Sequence, residues 1–349
     1  MKTTSVQPFV IADQTIQSGH QLELDLPISA MSNRQTMSLP VKVYHGAKPG
    51  PVLFVSAAIH GDEIIGVEII RRLSKRPSLK QLAGTLLLVP IVNGYGFLNR
   101  SRYLPDRRDL NRSFPGSETG SLAARLAHLF LDEIVERSDY GIDLHSAAIH
   151  RENLPQIRVT SEDDKLLALA KTFGAPATII SSIRDGSLRE AASERGVPVL
   201  LFEGGEGLRF DETAVRAGLA GILRVMSSIG MLPKKANQPP SITSFVSSKS
   251  NWVRAPEGGL LQLKKRLGAT VEPGDRIGVV TDIFDEEQYE IFSEHAGIVI
   301  GRSTLPIVNE GDAIMHIARA AEAEIAGERV EAFVDHLALA PMFYEDEII

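Results

Sequence analysis

The chain has 349 residues, with 37 Lys+Arg against 44 Asp+Glu, a formal charge of −7 at pH 7, and no cysteine. This length is enough for about two domains with cores of their own. The lack of cysteine excludes a disulfide framework, an iron–sulfur cluster and a thiol nucleophile, so any metal must be held by His, Asp or Glu. A mildly acidic chain also lacks the positive electrostatic potential that would attract nucleic acid or an anionic membrane.

The N-terminus and the hydropathy together predict a cytoplasmic protein. The first twenty residues contain one lysine and no apolar run of the kind found in secretory signals. No later stretch approaches the ~18 continuous apolar residues of a membrane span. We therefore expect neither a membrane nor a nucleic-acid partner.

Short apolar runs alternate with helical periodicity as far as residue 228. The run at 51–59 is rich in branched residues and too short for a helix, which is typical of a buried strand. Helical spacing follows at 63–73, with acids in the first turn and arginines in the last. Further strands are predicted at 85–92, 140–145, 157–160, 177–180 and 198–202, and further helices at about 120–137, 163–173, 188–195 and 212–228.

This alternation predicts a three-layer α/β domain on a mixed, mostly parallel sheet, spanning residues 1–232. The polar, proline-bearing segment 233–245 is predicted to be a linker. Residues 246–318 carry short strand-like runs separated by Gly and Pro, and we expect them to form a smaller all-β domain. Residues 319–349 are left as a C-terminal tail.

The predicted all-β part contains a faint internal repeat. Residues 271–275 (VEPGD) recur as 308–312 (VNEGD), and 259–261 (GLL) is echoed by 297–299 (GIV). Two copies predict two similar hairpin units packed together, a pattern that resembles the barrel-sandwich domains that carry biotin or lipoate. Those carriers attach the cofactor to a lysine in the turn between the halves. The corresponding segment 281–289 has no lysine, so we do not expect covalent carriage.

His60 and Glu63 stand where the first buried strand gives way to a helix. Ligands bind at the carboxyl ends of strands in open α/β sheets, and a tight turn can aim an imidazole and a carboxylate at this spacing toward one point. The pair is ordinary zinc chemistry. Alone it is weak evidence, because a helix-capping acid beside a surface histidine gives the same pattern.

His145 is a third candidate ligand, at the end of another predicted strand. Period-two alternation places Asp143 on the same face, where its carboxylate can orient a metal-bound imidazole. Taken by itself, His145 is explained more simply as a structural histidine. Two histidines and one carboxylate with an open fourth position, however, form a known catalytic zinc site that activates water.

The segment 100–112 holds five arginines in thirteen residues of an acidic protein. Guanidinium groups pair with carboxylates in a two-pronged geometry, so such a cluster beside a metal suits an anionic substrate or a developing oxyanion. A solvated basic loop, paired with acids such as Asp106 and Asp109, is the alternative.

The glycine-rich segment 202–207 (FEGGEG) carries two carboxylates immediately after a predicted strand. Glu203 stands at the strand end, where a positioned general base is expected, and Glu206 is the alternative. The segment is not a phosphate-binding loop, because no Lys-Ser/Thr follows it.

Taken in order, these pieces resemble the succinylglutamate desuccinylase/aspartoacylase family, which is related to the zinc carboxypeptidases. The matching segments are 60–63 (HGDE), 102–103 (RY) with 109–112 (DLNR), 143–145 (DLH) and 203–205 (EGG). The resemblance implies a zinc-carboxypeptidase-like α/β fold. It further implies one zinc ion per chain on His60, Glu63 and His145, with Glu203 as general base and acid, Arg102 at the carbonyl oxygen, and Asn111 and Arg112 at a substrate carboxylate.

The activity that this resemblance implies is hydrolysis of the amide bond in a small N-acylated amino acid or a similar carboxylate-bearing amide. A metallocarboxypeptidase-like enzyme that trims a peptide or a cell-wall fragment shares every one of these residues and is the first alternative. A non-catalytic binding protein that kept the metal pocket is the second. The expected partner is a small anionic molecule, and a homo-oligomer is left open.

Overall fold

The computed structural model describes residues 6–160, 164–233, 244–284 and 286–339. The predicted helix start at 163, most of the predicted linker 233–245 and residues 340–349 of the predicted tail lie outside these ranges. None of the helices in the described ranges is both long and apolar enough to cross a membrane.

The first part of the chain alternates strands and helices, as predicted. The strands are β1 Phe9–Ile11, β2 Gln14–Ile16, β3 Gln21–Ala30, β4 Thr36–His45, β5 Lys48–Ala57, β6 Ala83–Val89, β7 Tyr140–His145, β8 Arg151–Val159, β9 Ala177–Ile180 and β10 Val199–Glu206. The helices are α1 Ile65–Leu73, α2 Gly94–Asn99, α3 Leu122–Phe130, α4 Asp164–Phe173, α5 Leu188–Glu194 and α6 Glu212–Ser228. Short 3-10 helices lie at Pro77–Gln81 and Leu110–Arg112, and the π-helical turn Leu131–Val135 extends α3.

The central sheet is mixed and mostly parallel, which confirms the predicted fold class. Strands β6, β5, β7 and β10 are parallel neighbours in that order. On one side β4 and β3 continue the sheet antiparallel, and on the other β8 pairs antiparallel with β10 and parallel with β9. The four central strands run in the same direction, so their carboxyl ends lie along a single edge.

Helices cover both faces of this sheet and complete three layers. Helices α1, α4 and α6 pack on one face, in a core that includes Ile69, Phe173 and Ile222. Helices α3 and α5 pack on the other, around Phe54 and Phe130, whose rings meet edge to face at 5.8 Å. Burial on both faces explains why the central strands are apolar without interruption.

The C-terminal part is an antiparallel β region followed by one helix. Its elements are β11 Phe245–Ser247, β12 Ser250–Arg254, β13 Gly259–Leu263, β14 Thr270–Val271, β15 Arg276–Thr281, β16 Gln288–Phe292, β17 Gly297–Ser303, β18 Ile307–Val308, β19 Ala313–Arg319 and α7 Ala323–Leu339. Strands β16, β15, β13 and β18 form one sheet, and β12, β19 and β17 join the central sheet through β8. The domain boundaries drawn from the sequence remain a prediction.

The internal repeat corresponds to two equivalent turns, one between β14 and β15 and one between β18 and β19. In the first, Asp275 Oδ2 accepts the backbone N–H of Glu272 at 3.2 Å, and in the second Asp312 Oδ2 accepts that of Asn309 at 2.8 Å. The glycine of each copy has a positive φ, 89° at Gly274 and 83° at Gly311. The two copies therefore share a turn conformation as well as a sequence pattern.

Candidate active site

His60 and Glu63 lie in a tight turn that follows β5 and precedes α1. The turn is closed by backbone hydrogen bonds from Glu63 N to His60 O and from Ile64 N to Asp62 O, both 3.1 Å. A Cβ at Gly61 would lie 1.9 Å from a backbone carbon of Gly96 in α2, so only glycine allows this close approach. The helix begins at residue 65 rather than at 63 because this turn takes up the intervening residues.

His145 reaches the same point from the end of β7, which is the parallel neighbour of β5. Glu63 lies within hydrogen-bond distance of both rings, with its Oε1 2.7 Å from His60 Nδ1 and its Oε2 2.7 Å from His145 Nδ1. One ligand atom from each of the three residues lies within 4.8 Å of the others, and each residue is 3% exposed. The sheet thus brings together the three ligands that the sequence predicted.

A second carboxylate contacts each imidazole on its Nε2 side, away from Glu63. His60 Nε2 lies 3.1 Å from Asp109 Oδ1, and His145 Nε2 lies 2.7 Å from Asp143 Oδ2. Ser56 donates to the other oxygen of Asp143 at 2.7 Å. If each Nε2–H is donated outward, both Nδ1 lone pairs point to the place shared with Glu63, which is the usual arrangement of metal-bound histidines.

The charges around these histidines fit a cation. Burial opposes protonation of His145, but Asp143 and Glu63 outweigh it and raise the pKa of His145 well above its ordinary value of 6.5. Burial is likewise outweighed at His60, whose pKa is raised by Glu63 and Asp109. At Glu63 burial would raise the pKa, but the two imidazoles hold it well below its ordinary range. A buried group of carboxylates with two imidazoles satisfies the donor chemistry of a divalent zinc site.

Arg102 lies beside this cluster and is held by two acids. Its Nε and Nη2 donate to Asp109 Oδ2 at 3.2 and 2.9 Å, and its Nη1 donates to Glu63 Oε1 at 3.3 Å. Burial opposes its charge, but Glu63 and Asp109 outweigh it and raise the pKa of Arg102. Two arginines of the predicted basic loop, Arg102 and Arg112, therefore line the site, whereas Arg108 pairs near the surface with Asp106 at 3.6 Å.

Glu203 is in register with His145, since β10 and β7 are parallel neighbours. Its Oε2 accepts from Asn153 Nδ2 at 2.8 Å, and its Oε1 lies 3.7 Å from Arg158 Nη1. Glu206 points elsewhere, where its Oε1 accepts from His150 N at 3.0 Å and from the Thr304 hydroxyl at 3.1 Å.

A cavity of about 460 Å³ opens over these groups. It is lined by every site residue that the sequence singled out, namely His60, Glu63, Arg102, Asn111, Arg112, His145 and Glu203, and Glu206 is not part of its lining. A larger cleft, of about 1280 Å³, shares Arg189 with this cavity but contains none of the candidate metal ligands.

Several lining residues were not predicted from the sequence. Trp252 of β12 forms part of the wall, stacked on His316 with ring centroids 4.6 Å apart and an interplanar angle of 10°. The guanidinium carbon of Arg151 lies 5.3 Å from the centre of the Trp252 ring. Asn153 and Arg158 come from the same strand as Arg151. No spacing motif links these residues, because the pairing of β8 with β17 is what brings them together.

Residues 49–229 match the model of the Succinylglutamate desuccinylase/Aspartoacylase catalytic domain. The chain belongs to this family. The N-alpha-acetyl-L-2,4-diaminobutyric acid deacetylase of Halomonas elongata is 30% identical over 312 residues, which cover 86% of this chain and 91% of that protein. Family membership confirms the predicted enzyme class, an amidohydrolase, and the non-catalytic alternative is set aside.

Solved structures share the fold over nearly the whole chain. A succinylglutamate desuccinylase/aspartoacylase from Rhodobacter sphaeroides is 26% identical, with a TM-score of 0.74, and the match covers 86% of this chain and 95% of that one. The product-bound ectoine utilization protein EutE (DoeB) from Ruegeria pomeroyi is 24% identical, with a TM-score of 0.77, and the match covers 92% and 100%. The matches extend well beyond the catalytic-domain range, so the fold likeness includes the C-terminal β region.

Proposed function

We propose that this protein is a zinc-dependent deacylase that cleaves the amide bond of a small N-acylated amino acid or a similar carboxylate-bearing amide. The observation that carries the proposal is the convergence of His60, Glu63 and His145 with Glu203 and Arg102 on one cavity. The name of the Halomonas relative, an N-acetyl amino acid deacetylase, supports the same reaction.

One zinc ion per chain would be held by His60, Glu63 and His145. Bound there, zinc supplies Lewis acidity that activates water and polarises a carbonyl group. The support is the donor set itself, two imidazoles and a carboxylate that are buried and oriented by Asp109 and Asp143.

Glu203 acts as general base and then as general acid. It accepts a proton from the attacking water and returns it to the leaving amine. The hydrogen bond from Asn153 fixes Oε2, which leaves Oε1 to take and return the proton. The contacts that occupy Glu206, together with its position outside the cavity lining, support Glu203 over Glu206 as the base.

Arg102 stabilises the negative charge that develops on the carbonyl oxygen, since Asp109 and Glu63 hold its guanidinium at the edge of the ligand cluster. Asn111 and Arg112 bind a substrate carboxylate. The Asn111 Oδ1 atom already accepts the backbone N–H of Leu188 at 2.9 Å, so its Nδ2 remains to donate to a ligand.

The size of the cavity favours a small amide over a peptide. About 460 Å³ lies in the range of small-molecule sites, and Trp252 narrows it from the side of the C-terminal β region. The metallocarboxypeptidase-like alternative uses the same catalytic groups, so substrate length separates the two activities. Turnover of N-acyl amino acids should exceed that of di- and tripeptides, and the reverse order would favour the alternative.

The metal assignment is tested by mass spectrometry of the purified protein and of two variants. We expect about one zinc per chain in the wild type. The ion should be lost in His145→Ala and retained in His128→Ala, a partly exposed histidine on α3 beside Asp132. A wild type that binds no metal after zinc is supplied at neutral pH would contradict the proposal.

The base is tested with a matched pair of glutamate variants. Glu203→Gln should keep the zinc but lower kcat about 10²- to 10⁴-fold, because the carboxylate that moves the proton is gone. Glu206→Gln, which alters a carboxylate outside the cavity lining, should keep most of the activity. Exchanged phenotypes would assign the base to Glu206.

A further inference from the structure

We propose that two copies of this chain form a symmetric dimer in which an acidic turn of each copy docks into a basic groove of the other. The acidic turn contains Asp282, Ile283, Phe284, Glu286 and Glu287, between β15 and β16. The basic groove lies between the end of β3, helix α2 and the start of α3. Neither surface belongs to the lining of the catalytic cavity, so the inference does not depend on the proposed deacylase function.

The acidic turn exposes two large apolar side chains, Ile283 at 74% and Phe284 at 76%. Asp282 fixes the backbone beneath them. Its Oδ2 accepts the N–H of Phe284 at 3.2 Å, and its Oδ1 accepts those of Glu286 and Glu287 at 2.7 and 3.0 Å. The two apolar side chains are therefore presented to solvent by a turn that the structure defines, with carboxylates beside them.

The apolar surface continues from this turn into the neighbouring sheet. Leu260 of β13 is in register with Thr281, the last residue of β15, and with Ile307 of β18. Leu260 and Ile307 are both exposed. Together with Ile283 and Phe284 they expose on the order of 500 Å² of apolar surface, which is at the upper end for the largest patch of a monomer and typical of an interaction site.

The basic groove has room for an apolar side chain. Its volume is about 460 Å³, and its wall includes Met31, Tyr95, Pro105 and Leu122. The Tyr95 hydroxyl is already hydrogen-bonded to Ser29 at 2.6 Å, so its ring is the part left for packing. The aromatic ring of Phe284 is the largest exposed apolar group of the acidic turn, and the groove is large enough to hold it.

Three exposed arginines give the groove its positive charge. Arg125 is part of the wall, Arg100 follows the wall residue Asn99, and Arg107 lies two residues after Pro105. Within the described ranges, none of the three forms an ion pair with an acid. They are complementary to the carboxylates of the acidic turn, and such complementarity selects a partner and its orientation.

The acids closest to the groove in the sequence already have partners. Asp106 pairs with Arg108 at 3.6 Å, and Glu118 lies 4.0 Å from His128. The positive charge of Arg100, Arg107 and Arg125 is therefore left for a ligand from outside the chain.

Two of these arginines have a strained backbone. The φ angles of Arg100 and Arg107 are 54° and 63°, in the left-handed region that non-glycine residues rarely adopt. Backbone hydrogen bonds hold both residues there, from Arg100 N to Phe97 O at 3.2 Å and from Arg107 N to Leu104 O at 2.9 Å. Strain of this kind clusters at ligand-binding segments, which supports binding at this groove.

Area and symmetry favour a second copy of the chain as the partner. Both surfaces are exposed within one copy, and in a two-fold dimer the contact between turn and groove occurs twice. Leu98 and Tyr103, near the groove in the sequence, are also exposed. The two surfaces together offer on the order of 800 Å² per copy, which is the area that each partner buries in a stable interface.

The first test measures the mass of the full chain in solution by light scattering and sedimentation. The wild type should be a dimer at micromolar concentration. Phe284→Ser should raise the dissociation constant of the dimer about 100-fold or more, because each dimer loses the same aromatic anchor twice. The control is Phe210→Ser, which changes a phenylalanine that is 65% exposed and lies outside both surfaces, and this variant should remain a dimer.

The second test reverses the charges at low ionic strength. One variant is Glu286→Arg/Glu287→Arg, and the other is Arg100→Glu/Arg125→Glu. Each variant alone would bring like charges together in both contacts and should be monomeric. An equimolar mixture should form a heterodimer, because both of its contacts again join opposite charges. Recovery on mixing also shows that neither variant lost the dimer through misfolding.

Three results would overturn the proposed dimer. One is a wild type that is monomeric at micromolar concentration, and another is a dimer that Phe284→Ser weakens no more than Phe210→Ser does. The third is a mixture of the two charge variants that stays monomeric. None of these measurements requires zinc or turnover, so failure of the deacylase proposal would leave the dimer standing, and the reverse also holds.

Discussion

Asn153 donates a hydrogen bond from Nδ2 to Oε2 of Glu203 at 2.8 Å, from the position where β8 is paired on both sides. In the sheet register Asn153 lies opposite Gly205 of β10 and opposite Gly301 of β17. The C-terminal β region therefore contributes to the position of the proposed base through one shared strand.

Replacement of Asn153 should impair catalysis more than substrate binding. We expect Asn153→Ala to lower kcat about tenfold with little change in KM, because the Glu203 carboxylate loses the donor that fixes it. Asn153→Asp should lower kcat at least as much, because a carboxylate at this position repels Glu203 instead of donating a hydrogen bond to it. The control is Asn251→Ala, whose amide oxygen accepts from Arg319 on an exposed part of β12. An unchanged kcat in Asn153→Asp would refute the positioning role.

Gly301 leaves the space that Asn153 occupies. A Cβ at this residue would lie 2.8 Å from Asn153 Oδ1 and 3.3 Å from the Cβ of His316. Gly301→Ala should therefore displace the Asn153 side chain and lower kcat about as much as Asn153→Ala does.

The double variant of Gly301 and Asn153 gives the sharper measurement. Because both changes act on one contact, their effects on kcat should not add. Gly258→Ala is the control, since a Cβ there would meet nothing nearer than the Val308 backbone oxygen at 3.6 Å. Fully additive effects would show that Gly301 acts on the site by another route.

The candidate metal ligands were predictable from the sequence because two of them follow strands that end at the same edge of the sheet. His60 and His145 follow the apolar runs of two parallel neighbours, so their convergence follows from strand direction alone. The bounds of β7 and α6 also agree with the prediction, since each has an uninterrupted pattern of its own period.

Other parts of the structure were harder to predict because their sequence patterns are weaker. No element was predicted before residue 51, although β3 and β4 alternate polar and apolar residues with the period of half-buried strands. Strand β8 was predicted only from residue 157, and it begins at Arg151. Among its first residues Arg151 and Asn153 line the cavity and Glu152 pairs with Arg302, so the polar pattern there does not reflect a core. Such contacts depend on pairing with β17, nearly 150 residues away, which local periodicity does not encode.

The carboxylate behind His145 should control metal affinity. Asp143→Asn removes the charged acceptor of His145 Nε2, which fixes the ring orientation and strengthens Nδ1 as a ligand. We expect zinc affinity to fall about 10- to 100-fold, as measured by competition with a chelator. Ser56→Ala, which removes only the donor to Asp143 Oδ1, should have a smaller effect. The control is Asp132→Asn, which changes a carboxylate that is 44% exposed and lies outside the site. A zinc affinity of Asp143→Asn equal to that of the wild type would contradict the function of Asp143 as the orienting partner of His145.

Stability at acid pH should depend on the ion pair between α1 and α6. Arg72 Nη1 and Nη2 donate to the two oxygens of Glu212 at 2.8 Å. These hydrogen bonds, with a further one from Arg216 and against partial burial, lower the pKa of Glu212 from 4.5 to about 2. Because the folded-state pKa is the lower one, the ion pair stabilises the fold fully above about pH 4.5 and is lost as the pH falls toward 2.

Glu212→Gln should therefore lower the free energy of unfolding at pH 7 by about 1 kcal/mol, a modest figure because the side chain is 46% exposed and solvent screens the pair. Urea unfolding from pH 7 to pH 2.5 measures this difference, which should shrink as the wild type loses the same charge. Glu194→Gln, on an exposed residue of α5, should show no such pH-dependent difference. A deficit in Glu212→Gln that stays constant down to pH 2.5 would mean that the side chain stabilises the fold through packing and not through its charge.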